Sequence, residues 1–212
     1  MHELQALAAT LRIGGAMIYP LLALSVVAAV VVLEKGFVFA TRTRLPNSLL
    51  TAAETYDFDW QALEREVETL APRNYFARFF RIIMEHRKRP VWWIESRAAE
   101  EASLIEKSLG RWLWILETTV TAAPLLGLLG TITGMVRAFK LFGSEGLVDP
   151  RGVTGGVAEA LIATAVGLFI AIGALFSYNY FSYRLAQVMD EFEQLGTRII
   201  DHIRLTGTEA DP

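Results

Sequence analysis

The chain has 212 residues, 53% of them hydrophobic, with a net charge of −3 and a mean hydropathy of +0.35. Soluble domains are less apolar, the charge balance lacks the basic excess of a nucleic-acid-binding protein, and the absence of cysteine excludes disulfide and thiol chemistry. His2, His86 and His202 are scattered without metal-ligand spacing, and neither a phosphate-binding glycine loop nor a nucleophile elbow appears, so nothing points to an enzyme or to a cofactor.

The first element is a run of 21 residues without charge, 13–33. At 1.5 Å per residue it is long enough to cross a hydrocarbon core of about 30 Å. A cleaved signal peptide fits poorly: the start carries one Glu and one Arg, and Glu34-Lys35-Gly36 follows where a small-residue cleavage site would stand. The run therefore reads as a retained membrane helix. Lys35, Arg42 and Arg44 follow it while only Arg12 precedes it, which places the N-terminus outside and residues 35–111 in the cytoplasm. Arg137, Lys140 and Arg151 in the outer loop work against that orientation.

The cytoplasmic stretch is helical by pattern. Asp59 is a suitable N-cap for a helix over 60–70 that Ala71-Pro72 ends. Tyr75, Phe76, Phe79, Phe80, Ile82 and Ile83 recur at helical spacing among Arg73, Arg78, Arg81 and Arg87. Such a helix either lies on an anionic membrane surface or packs on neighbouring helices, and packing is the favoured reading. Arg87-Lys88-Arg89 reads as a solvated basic cluster. Residues 94–112 favour helix without a break, Gly110 being only a mild penalty. A second membrane helix is thus expected to start deep in the cytoplasm and run to about Phe142.

Residues 118–136 and 160–183 are the second and third charge-free runs, of 19 and 24 residues. Three runs of this length argue against a soluble bundle. Residues 143–156, with Asp149-Pro150, read as a short outer turn. Leu185, Val188, Met189, Phe192, Leu195 and Ile199 then continue the third helix into the cytoplasm. The expected fold is an all-α membrane protein with three transmembrane helices, the second and third forming a long hairpin that extends into the cytoplasm. Its expected divisions are 1–34, 35–111, 112–183 and 184–212.

Small and polar side chains interrupt the last two spans. Thr131 and Thr164 lie near their middles, where a hydroxyl both donates and accepts and holds water or an ion in an otherwise dry cavity. The plainer alternative is a bond to the residue's own helix carbonyl. Glu159, one turn into the third helix, is costly in lipid, roughly 2.5–3.5 kcal/mol if ionised at the centre and less near the interface. It reads equally as an ion or proton site at a pore mouth and as a carboxylate bonded to a neighbouring helix. Glu159 and Thr164 stand about 140° apart around one helix, so a path using both needs several helices. Gly127, Gly130, Gly134 and Gly167 suit close helix packing. Pro124 kinks the second helix and frees a carbonyl, and Glu117 faces either a vestibule or the interface.

Leu116-Glu117, Ala123-Pro-Leu-Leu-Gly-Leu-Leu-Gly-Thr-Ile-Thr-Gly134 and Ala158-Glu-Ala-Leu-Ile-Ala-Thr-Ala-Val-Gly-Leu168 resemble the MotA/TolQ/ExbB proton-channel family, in its ExbB and TolQ branch. Three membrane helices, where flagellar stators have four, favour that branch. The resemblance implies an inner-membrane homo-oligomer, a pentamer, whose second and third helices surround a pore. It implies an ExbD-like or TolR-like single-span partner dimer, with a TonB-like or TolA-like protein carrying work to the outer membrane. It places the pore hydroxyls at Thr131 and Thr164 and the family's glutamate at Glu159. Gly173 departs from the family, where Pro is frequent. The competing readings are an oligomeric membrane scaffold without a conduction path of its own, and a solute permease subunit, which three helices without an inverted repeat serve poorly.

Overall fold

The computed structural model describes residues 15–46, 49, 60–140 and 150–208. These residues form six principal helices, with no strand among them: α1 Ile18–Arg42, α2 Trp60–Thr69, α3 Tyr75–Glu85, α4 Val91–Gly110, α5 Leu113–Lys140 and α6 Pro150–Thr208. Three helical stretches, Ile18–Arg42, Val91–Lys140 and Gly152–Thr206, are long and apolar enough to span a bilayer. The expected fold class, all-α with three membrane-crossing helices, therefore holds. Asp59 and residues 143–149 lie outside the described residues. The expectation of a turn up to residue 156 is corrected in its second half: the chain is already helical from Pro150. Proline is tolerated in a first helical turn because its missing N–H would have had no partner there.

A second expectation also fails inside the described chain. Residues 94–112 were expected to run without a break into the second membrane helix, but α4 ends at Gly110 and α5 begins at Leu113. Trp112 between them has φ of 71°. A bulky L-residue in the left-handed region is a genuine outlier, and no helix-propensity argument anticipates it.

The chain divides into two compact units, Met1–Leu33 with Trp112–Tyr180, and Glu34–Arg111 with Phe181–Pro212. In the second unit the aromatic face of α3 is buried: Tyr75, Phe76, Phe79, Phe80 and Ile83 are all at most 5% exposed. Packing, not a membrane surface, takes up its apolar side. Phe76 and Phe79 meet Phe192 of α6 at ring-centroid distances of 4.4 and 4.9 Å. Asn74 caps α3 by accepting from the Phe76 N–H at 2.8 Å, satisfying one of the unpaired donors of the first turn. Arg78 on the outer side of α3 pairs with the buried Glu101 of α4.

Lys35, one of the cations that set the expected orientation, is fully buried. Its Nζ lies 3.3 Å from Glu34 Oε2, near enough for attraction but without hydrogen-bond alignment.

Candidate functional site

The first unit is built on backbone proximity. A Cβ added at Gly167 would lie 2.5 Å from the Ala123 carbonyl oxygen, at Gly127 3.0 Å from Thr164 Cα, and at Gly134 2.9 Å from the Gly156 carbonyl oxygen. Positions rise along α5 as they fall along α6, so the two helices pack antiparallel. No larger residue fits at these crossings, which is how small side chains let membrane helices associate. Gly130 belongs to the same seam, facing Ala163 of α6 and Met17. The start of α1 joins through Leu21, which packs with Ala123 and Ala171.

Helical geometry sorts the polar residues to two sides of this pair. On α5 the buried line runs through Leu116, Ala123, Gly127, Gly130, Gly134 and Ala138; on α6 it runs through Ala160, Ala163, Gly167, Ala171 and Ala174. With 100° per residue, Arg137, Leu126, Glu159, Val166 and Ile170 fall on one side of those lines. That side carries the contacts to Met17, Leu21 and Leu24 of the N-terminal segment. Thr131 and Thr164 fall on the other side, which no described helix of the unit covers.

The two threonines differ in their bonds. Thr131 donates to the carbonyl of Leu128 in its own helix at 2.6 Å. Thr164 instead donates across the pair to the Gly127 carbonyl at 3.0 Å. Each hydroxyl still offers its oxygen as an acceptor. They lie roughly one helical turn apart in height, since Gly127 and Thr131 are four residues apart.

Glu159 has a partner that local sequence patterns did not reveal. Arg137 Nη1 of α5 donates to Glu159 Oε1 at 2.6 Å, with the carboxylate side chain 20% exposed and the guanidinium 52%. Gly15, at φ of 68°, lies against the same carboxylate, and a Cβ there would overlap Oε1. One carboxylate thus joins the entry to α1, the end of α5 and the first turns of α6. The sequence signals for this pair were Glu159 itself, one reading of which was a carboxylate bonded to a neighbouring helix, and Arg137, which stood out as a cation in an outer loop.

The structure therefore places Thr131 and Thr164 on one flank of the helix pair, about one turn apart, and Glu159 on the opposite flank. Among the described residues no group of three or more His, Cys, Asp or Glu is arranged to hold a metal.

The sequence matches the MotA/TolQ/ExbB proton channel family over residues 71–194, more than half of the chain. It is 28% identical over 191 residues to the putative biopolymer transport protein ExbB-like 1 of Synechocystis, covering 88% of this chain and 74% of that protein. It is 30% identical over 174 residues to the ExbB-like 3 protein of the same organism, covering 79% and 81%. A shorter stretch of 77 residues is 39% identical to the Tol-Pal system protein TolQ of Haemophilus influenzae, covering 36% and 34%.

Proposed function

Because the chain belongs to the MotA/TolQ/ExbB proton channel family, we propose that it is the channel-forming subunit of an inner-membrane motor of the ExbB/TolQ type. Several copies, five by analogy with the family, stand with their α5–α6 pairs around a common axis. The N-terminus lies in the periplasm and the α2–α4 region in the cytoplasm. A single-span ExbD-like or TolR-like partner occupies the centre, and proton flow through the assembly drives work at the outer membrane through a TonB-like or TolA-like protein. The chain itself carries out no covalent chemistry.

One observation carries this reading: Thr131 and Thr164 share a flank of the helix pair that a single chain leaves uncovered. A hydroxyl facing acyl chains gains nothing, whereas facing a wet axis it relays a proton between waters. Each proton crossing releases about 2.3 kcal/mol per 100 mV, enough over a few crossings to reset packed helices. In this arrangement Glu159, through its pair with Arg137, holds the outer ends of α5 and α6 together beside the path.

The test is proton flux into proteoliposomes holding the chain co-purified with its single-span partner, under an imposed potential. Wild-type flux that Thr164→Val abolishes, with the oligomer mass unchanged, is the expected result. An intact wild-type complex that passes no protons would leave the scaffold reading. The glycine seam and the intrahelical bond of Thr131 are what favour that alternative.

A further inference from the structure

A third and a fourth polar residue share the flank of the two threonines. Glu117, Thr121, Pro124, Leu128 and Thr131 follow one another at intervals of four, three, four and three residues, which keeps them within about 40° of a single line along α5. Glu117 and Thr121 are both exposed in the single chain. Thr121 donates to the Thr118 carbonyl at 3.0 Å, leaving its oxygen free to accept. No hydrogen bond or ion pair engages the Glu117 carboxylate among the described residues. Pro124 adds an acceptor: it lies inside α5 and has no N–H, so the Val120 carbonyl lacks its usual helical donor.

We propose that Glu117 is the inner proton-exchanging group of the pathway, reached from Thr131 and Thr164 by way of Thr121. This rests on the channel reading above and names the residue at which that path meets the cytoplasmic water. Along the axis the steps are about 6 Å from Thr131 to the level of Thr164, about 9 Å on to Thr121 and about 6 Å to Glu117. These gaps are too long for direct transfer and fit one or two bridging waters each. A proton arriving on such a chain binds a Glu117 carboxylate oxygen, and the same oxygen releases it to cytoplasmic water, so the residue returns to its starting state at each crossing. Threonine hydroxyls do not ionise near neutral pH and only relay. Glu117 is the carboxylate on this line, whereas Glu159 stands on the opposite flank, held by Arg137. The competing role for Glu117 is that of an interfacial carboxylate beside Trp114, which is 59% exposed and sits where aromatic belts form.

The complete complex is reconstituted in liposomes loaded with a pH-sensitive dye, and flux is driven by a potassium–valinomycin potential. Glu117→Gln is expected to lower flux about a hundredfold or more, the lower range for losing a proton-transfer group. Glu117→Asp should keep most of it, and all variants should retain the wild-type oligomer mass. Thr121→Val should lower flux where Thr121→Ser does not. Wild-type flux in Glu117→Gln, or a Glu117→Asp variant as inactive as Glu117→Gln, overturns the assignment. Should Glu117→Gln disperse the complex, Thr121→Val decides, since it removes one hydroxyl and no charge. Thr164→Val distinguishes the two levels of inference. If it blocks flux while Glu117→Gln does not, the channel reading stands and the assignment of Glu117 fails. If the wild type itself is silent, both fail.

Discussion

The hydroxyl of Thr164 on α6 donates to the Gly127 carbonyl of α5 across a gap of 3.0 Å, and glycine at 127 is what permits the approach, because a Cβ there would sit 3.0 Å from Thr164 Cα. The bond is at once a clamp between two helices and the fixed end of a polar group whose oxygen still faces outward. Thr164→Ser keeps the donor and is expected to preserve flux. Thr164→Val is nearly isosteric, and its loss of the bond should cost about 1 kcal/mol of stability while removing most of the flux. Equal flux in both variants would show that the hydroxyl serves only the clamp.

Glycine substitutions separate the seam from open surface. Gly167→Ala places a methyl 2.5 Å from a backbone oxygen that cannot rotate away, whereas Gly173→Ala meets nothing within 4 Å. Overpacking of this kind costs typically 1–3 kcal/mol, so Gly167→Ala should unfold at lower temperature in detergent and Gly173→Ala should not. A thermal shift assay on the two purified variants checks the contrast.

Arg137 and Glu159 act as one unit. Removing either partner leaves the other charged near lipid, so Arg137→Met and Glu159→Gln should each destabilise by about 0.5–1 kcal/mol, at the upper end for partly exposed pairs. The double variant should be no worse than either alone, because neighbouring residues are not additive. An additive double variant, measured by denaturation in detergent, would mean that the pair does not act as a unit. Gly15→Ala should resemble the single variants, since its methyl would compete with the carboxylate for space.

Glu191, on the part of α6 that follows the apolar span, has its carboxyl pushed above the usual range by burial, with Arg184 opposing. A folded-state value above the unfolded one means that the protonated form favours folding. That stability is fully present below the ordinary carboxylate value and is lost as pH rises through the folded one. Glu191→Gln should therefore raise the melting temperature at pH 7 and have little effect near pH 4. A benefit that grows as pH falls would contradict the direction.

Phe192 is 1% exposed, stacks on Phe76 and meets Phe79 at a tilt. Phe192→Ala should cost about 3–5 kcal/mol, seen as protease sensitivity of the α2–α4 region, while leaving the glycine seam of the first unit intact.

Much of this structure was legible from residue order because the relevant signals are local. Charge-free length announced three spans, 3.6-residue periodicity announced the buried face of α3, and glycine spacing announced a close seam. What escaped depended on distance or on an improbable backbone. Arg137 and Glu159 are 22 residues apart in sequence, and no periodicity links them. Lys35 counted toward the charge bias after the first span, and that count says nothing of its burial. At Trp112 every propensity favoured helix, and only neighbouring Gly110 hinted at the interruption. The flank shared by Thr131 and Thr164 was half legible: their helices were known, but which side of each faced α1 required the contacts of Met17 and Leu21.

The uncovered side that bears Thr131 and Thr164 has a genetic consequence. If each subunit supplies only a sector of the conduit wall, one defective sector impairs the ring. Co-expressing Thr164→Val chains with normal ones should then poison activity far out of proportion to their share, and the steepness of that decline against dosage would count the subunits per ring.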